Sequence, residues 1–488
     1  MTLSPPPAAD PSRDRPPVGT RPVRSSARPL DALASWPAET PLACLWSGDT
    51  GHPRARWTVL AAIDRVHHPR TADELGALLD RRGTAPTPTD DLPPFRSGLI
   101  GWLGYDLGRV LETRAAHPGG SRDDRRWPLA ALAECSACYA FDHAAARWFA
   151  SGPRDRLPPL PTGPAQRRSV RASFEIEPFD PASNRVAFTD AVRRVIGLIH
   201  AGDAYQVNLA HRLSTVFSGD ARALFALLTR AAEPWFGGYL ESCDDAPHAR
   251  RRALLSASPE LFLSYDPATR RVLTRPMKGT SPSEPGGTRA RDALMSPKDR
   301  AELDMITDLL RNDLGRSAEF GSVRVEQART VETHAVGSAG VLQGVSTIAA
   351  TLRPEISFAD ALLAAFPPGS VTGVPKIRAM QIIDELEPVR RGPYCGSFGY
   401  LDDSGRAAFN VSIRTAMISE RAQTDAPRAS PAHFENADLD YPVGAGIVAD
   451  SDPEAEWRET LDKAAVFLRA IAEGSAGAER VRRPGEPG

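Results

Sequence analysis

Gly202-Asp203-Ala204-Tyr205-Gln206-Val207-Asn208-Leu209 holds an ending and a beginning. Upstream, Val192, Val195, Ile196 and Ile199 recur at helical spacing within 186–201, which predicts an amphipathic helix. Gly202-Asp203 stops it. Tyr205, Val207 and Leu209 then alternate with the two-residue period of a strand. Further out, 254–265, 272–278 and 322–344 read as strands, and 297–314 and 375–386 as helices. Residues 394–418 read as a hairpin turning at Asp402-Asp403-Ser404-Gly405. Residues 453–472 read as a helix with Trp457, Leu461, Ala465 and Leu468 inward. Residues 41–150 alternate short apolar runs with turn residues. Mixed runs without regular βαβ alternation, and without internal repeats, predict an α+β fold.

A chain of 488 residues is long enough for two to four domains. Residues 1–30 are rich in Pro, Ser and Arg and poor in large apolar side chains, which predicts a disordered tail. An N-terminal domain is expected over 32–165, a Pro-rich linker over 152–172, a second domain over 185–472 and a flexible tail over 473–488. The net charge of -2 gives no electrostatic footprint for nucleic acid. No apolar run is long enough for a membrane span, and no signal core opens the chain. Five scattered cysteines do not make a disulfide framework. The expected location is the cytoplasm.

The chain has 59 Lys plus Arg, but only Lys278, Lys298, Lys376 and Lys463 are lysine. Where Arg supplies most positive charge, a retained Lys is a candidate for amine chemistry, because guanidinium does not deprotonate. Asp299 with Glu302, and Glu456 with Glu459, are i,i+3 carboxylate pairs near the starts of two helices. They could supply oxygen ligands for Mg2+, or simply complement the helix dipoles. Gly369–Lys376 is Gly-rich but lacks the Lys placement of a phosphate loop. It leaves an anion-binding turn or a plain cap as alternatives. Gly444-Ala445-Gly446 would let backbone approach a ligand, or mark a bulge.

Several further motifs stand in order. They are Asp203–Leu209, Ser258-Pro259-Glu260, Arg275-Pro276-Met277-Lys278-Gly279-Thr280, Asp299-Arg300-Ala301-Glu302, 308–316, 366–370, Tyr394-Cys395-Gly396-Ser397 and 444–451. Together they resemble the chorismate-utilising enzymes, strongly over 185–470 and more weakly over 35–150. The resemblance implies a two-subdomain sandwich of large, mainly antiparallel sheets flanked by helices, as in anthranilate synthase component I. Isochorismate and salicylate synthases place a lysine base where this chain has Gln206. Anthranilate synthases place Ala where it has Lys278. Pro276–Thr280 is similar to the Pro-Ile-Lys-Gly-Thr motif of the aminodeoxychorismate synthase branch, although Ser283 stands where that branch has Arg.

By this resemblance Lys278 is the nucleophile on chorismate and Glu260 the general acid. Glu302 and Glu459 hold Mg2+, with Asp299 and Glu456 behind them. Thr280, His334, Ser370, Tyr394, Arg414, Gly444, Gly446 and Lys463 bind substrate. The implied reaction joins chorismate and ammonia into 4-amino-4-deoxychorismate, on the way to para-aminobenzoate and folate. No glutaminase elbow is present, so ammonia is expected from a glutamine amidotransferase subunit. Ser47, Arg54, Ala55, Arg56, Trp57, Pro234, Trp235 and Phe236 line either a tryptophan pocket or the packing between subdomains. The other functions to weigh are anthranilate synthase component I and a non-catalytic, tryptophan-sensing subunit.

Overall fold

The structure, a computed structural model, describes residues 19–48, 50–80, 91–116, 120–163, 174–180, 184–244, 250–283, 297–336, 339–421 and 430–479. Among the described residues two large antiparallel sheets dominate it, one of twelve strands and one of ten, each with one strand off its main path: Phe174–Ile176 beside Gln206–Asp220, and Arg324–Val336 beside Ala339–Thr351. The larger begins at Thr20–Val23 and runs through Arg147–Ser151, Ala137–Asp142, Trp57–Ala62, Leu42–Trp46, Gly237–Cys243 and Arg251–Ser256. It ends with Thr415–Ser419, His433–Ile447, Gln206–Asp220 and Gly373–Val374. The smaller runs from Met277–Ser283 through Ala339–Thr351, Arg271–Arg275, Leu261–Asp266, Ala407–Asn410, Ser397–Asp402, Gly98–Leu103 and Ala130–Cys135 to Arg65–His67. This is the expected sandwich.

The sequence break between 165 and 185 does not separate the sheets. Each sheet takes strands from both sides of it: Leu42–Trp46 pairs with Gly237–Cys243, and Gly98–Leu103 with Ser397–Asp402. One apolar core joins the sheets through Trp102, Phe262, Phe398 and Phe409. Each fully buried large apolar side chain contributes about 1.5–3 kcal/mol. Gly238 is needed here, because a Cβ would strike the Phe398 ring. A second core lies under helices Ala221–Ala232 and Pro453–Glu479, around Phe217, Phe225, Tyr239, Tyr441 and Phe467.

Four expectations change. Residues 19–30 are not tail: Thr20–Val23 pairs with Arg147–Ser151, and Pro29–Ala34 is a helix. Backbone pairing orders Thr20–Val23, and the burial of Ala27 and Pro29, with Val23 and Leu30 packed on the core, holds the rest. Residues 1–18 lie outside the described residues. The last helix continues through 473–479 to Glu479, where a tail was expected, and 480–488 lie outside the description. The expected single strand over 254–265 is two strands in different sheets, Arg251–Ser256 and Leu261–Asp266. The expected hairpin over 394–418 is a hairpin, Ser397–Asp402 with Ala407–Asn410, followed by Thr415–Ser419 in the other sheet.

Candidate active site

Those two sheet changes build the site. The chain crosses between sheets at 257–260 and again at 411–414, and the crossings are bonded together. Ala257 N donates to Arg414 O at 3.0 Å, and Val411 N donates to Glu260 O at 3.0 Å. Arg414 takes φ +51°, an uncommon conformation for a side chain of its size. The crossings thus set Glu260 and Arg414 side by side.

Glu260 is buried, and the Ser370 hydroxyl donates to its Oε1 at 2.6 Å. Burial pushes its carboxyl up to about 7, against the opposing Ser370 bond, Lys278, the Met277 amide and Arg414. A carboxyl poised there can give up a proton near neutrality.

Lys278 lies on Met277–Ser283, and its Nζ donates to Ser370 O at 3.4 Å. Burial holds its amine below the usual lysine range and Lys463 adds to this, whereas Glu302, Glu260 and Glu459 oppose it. Ser370 follows Gly369, where a Cβ would meet Leu309 at 2.7 Å. That glycine serves close packing on helix Pro297–Gly315. Lys376, where this loop runs into helix Lys376–Leu386, pairs with Asp313 at 2.7 Å and is structural.

Gly444 and Gly446 form a bare floor. They pair with Ala210 and Asn208 across the sheet. A Cβ on Gly446 would strike the Gln206 amide and come within 3.4 Å of Lys278 Nζ. A Cβ on Gly444 would lie 3.2 Å from the Tyr394 hydroxyl. Lys463 donates to Gly444 O at 2.9 Å and pairs with Glu459 at 2.7 Å. Arg414 has no side-chain acceptor among the described residues, and burial lowers its guanidinium. It is an open cation suited to a carboxylate. The His334 ring is buried against Trp235 at 4.1 Å between centroids. Burial, then Arg414, Arg275 and His52, lower it to about 3, so it is neutral at physiological pH.

Glu302 comes from helix Pro297–Gly315 and Glu459 from helix Pro453–Glu479, and both act on the same Lys278 amine. Two carboxylates are hard oxygen donors of the kind Mg2+ takes. Among the described residues no group of three His, Cys, Asp or Glu forms a metal cluster. Glu456 is buried and accepts from the Ser451 hydroxyl at 2.7 Å. The side chains of Asp299 and Thr280 lie outside the described residues.

A separate cavity of about 150 Å³ is lined in part by Ser47, Arg54, Arg56, Trp57, Trp235 and Phe236. Ala55 and Pro234 are not in its wall. Arg56 is engaged by both oxygens of Asp142. Trp235 stacks on His52 at 3.8 Å with its other neighbour His334. The candidate set drawn from motifs omits Gln206, whose two polar side-chain atoms are buried without partners among the described residues, and Arg275 and Glu332 beside His334. Only the position of Glu332 two residues before His334 in a strand could have signalled the last.

The crossings set a buried acid beside a guanidinium with no side-chain acceptor among the described residues, and the Lys278 amine lies next to them, a constellation suited to an anionic substrate. The chain belongs to the chorismate binding enzymes, whose family model matches residues 43–469. It is 37% identical over 427 residues to anthranilate synthase component 1 of Thermus thermophilus, covering 83% of this chain and 84% of that one. It is 34% identical over 462 residues to aminodeoxychorismate synthase component 1 of Escherichia coli, covering 88% and 92%. Among solved structures, anthranilate synthase component I from Streptococcus pneumoniae superposes with a TM-score of 0.64 at 23% identity, covering 96% and 94%. That likeness establishes the fold.

Proposed function

We propose that this chain aminates chorismate at C4, giving 4-amino-4-deoxychorismate for para-aminobenzoate synthesis. The observation that carries the reading is Lys278: a half-buried amine with a depressed pKa, joined through Ser370 to the raised Glu260 carboxyl. The name of the Thermus relative favours anthranilate synthesis instead. Against it stands Lys278, where that branch places Ala.

Lys278, as a neutral amine, would bond to C2 while the C4 hydroxyl leaves as water with the Glu260 proton. Ammonia would then bond to C4 as the C2–nitrogen bond breaks. Lys278 would depart neutral, because its adduct carries the extra proton. The new C4 ammonium would return a proton to Glu260 and close the cycle. Arg414 and Tyr394 would hold a substrate carboxylate, and the Gly444–Gly446 backbone would admit the ring close to Lys278. Bound at Glu302 and Glu459, with Asp299 and Glu456 behind, Mg2+ would supply positive charge for the other carboxylate.

The component 1 names of the relatives support a second component; in this reading it is a glutamine amidotransferase that supplies the ammonia, and both work in the cytoplasm. Among the described residues no helix is long and apolar enough to cross a membrane. The indole wall of the 150 Å³ cavity and the Arg54 guanidinium support an amino acid such as tryptophan as its occupant. The deciding experiment gives purified protein chorismate, Mg2+ and ammonium and identifies the product by mass and ultraviolet spectrum. Anthranilate as the product would overturn the reading.

A further inference from the structure

Beside His334 stand buried acceptors with nothing to accept. Among the described residues, Glu332 Oε2, His334 Nε2 and Gln343 Oε1 have no hydrogen-bond partner. Glu332 Oε2 and His334 Nε2 are 3.9 Å apart, too far to bond each other and close enough to share one small donor. Glu332 and His334 are two apart on Arg324–Val336 and so share a face. Gln343 is directly across the ladder from Glu332 and points the same way. On its other side Gln343 pairs with Thr280, so one row of the sheet leads from Glu332 to the Lys278-Gly279-Thr280 motif.

We infer that Glu332, His334 and Gln343 form the binding site for the ammonia that attacks the ring. Neutral NH3 has three N–H donors and one lone pair. Three acceptors would take the donors and leave the lone pair free for carbon. Water offers only two donors, so the trio favours ammonia over the competing nucleophile. The charge balance also favours NH3 over ammonium. Arg275 already neutralises Glu332 through Oε1, and Arg414 and Arg275 both act on the His334 ring. The His334 imidazole, being neutral, keeps a lone pair on one ring nitrogen. The inference deepens the amination reading and rests on it.

The test is steady-state kinetics with ammonium as the nitrogen source, each substrate varied at saturation of the other. Glu332→Gln should raise the KM for ammonia about tenfold, the worth of one charge-assisted hydrogen bond, with the KM for chorismate within twofold. Gln343→Leu leaves the Arg275–Glu332 pair intact and should shift the same constant in the same direction. A purely structural role would instead lower kcat, or raise both KM values together, and that result would overturn the site. So would an unchanged ammonia KM in both variants of an active enzyme. A wild type that consumes no chorismate in response to ammonium would sink the amination reading itself, and the site with it.

Discussion

The Ser370 hydroxyl donates to the Glu260 carboxylate at 2.6 Å, while the Ser370 carbonyl accepts from Lys278 at 3.4 Å. One residue therefore touches both the acid and the amine. Its hydroxyl favours the ionised form of Glu260 and opposes the effect of burial. Ser370→Ala should raise the Glu260 pKa above about 7 and move the alkaline limb of kcat/KM for chorismate to higher pH. An unmoved limb would dissociate that limb from Glu260.

Stability should also report Glu260. Its folded pKa of about 7 exceeds the ordinary carboxyl value, so the folded state binds this proton more tightly than the unfolded chain does. The stabilisation is complete below about pH 4.5 and is lost as pH rises towards 7. Relative to wild type, Glu260→Gln should therefore become more stable between pH 5 and pH 8, by roughly 2–4 kcal/mol. Denaturant titrations of both proteins across that range would show it. A constant difference would mean that Glu260 titrates normally.

For Lys278 the informative variant is Lys278→Arg. Guanidinium keeps the charge and cannot attack carbon, so turnover should be lost. Wild type quenched with chorismate and no ammonia should carry added mass on the peptide containing Lys278. An active Lys278→Arg enzyme with an unmodified wild-type peptide would reduce Lys278 to a carboxylate partner.

Glu302→Gln and Glu459→Gln should each weaken Mg2+ binding at least tenfold, read directly by calorimetry as well as by activity at limiting Mg2+. Equal Mg2+ affinity in wild type and both variants would be the contrary result. Far-ultraviolet circular dichroism should stay unchanged, since both side chains are half-buried or exposed.

Gly446→Ala should abolish chorismate turnover while the chain remains folded. The added methyl would collide with the Gln206 amide and stand 3.4 Å from Lys278 Nζ. Retained kcat/KM would place the substrate away from this floor.

Helices were legible in the sequence wherever an apolar stripe ran for several turns, as from Leu303 to Leu310 or through Val192 and Val195. Strands were legible too, but not the sheets they join. Ala257–Glu260 and 411–414 give no local sign that the chain changes sheet, because the partners that decide it are far away in sequence. The acid, the amine and the carboxylates were legible as motifs. Their mutual bonds were not, and Glu332 and Gln343 fell in strands that carry no motif at all. Residues 19–30 misled because few of them are large and apolar, yet Thr20–Val23 is held by backbone pairing and the small Ala27 and Pro29 are buried.

The interleaving of the sheets has a consequence for synthesis. Gly98–Leu103 pairs on one edge with the nearby Ala130–Cys135, but its other edge waits for Ser397–Asp402. At about 5–20 residues per second, the ribosome needs roughly 15–60 seconds to cover that stretch. Through that interval the edge of Gly98–Leu103 that Ser397–Asp402 will cover stays open, along with Leu99, Ile100 and Trp102, which the finished core buries. Folding must therefore close after translation, through contacts of long sequence separation, which is slow. A fragment ending before residue 397 would keep that edge permanently bare, so neither half of this enzyme should be soluble when made alone.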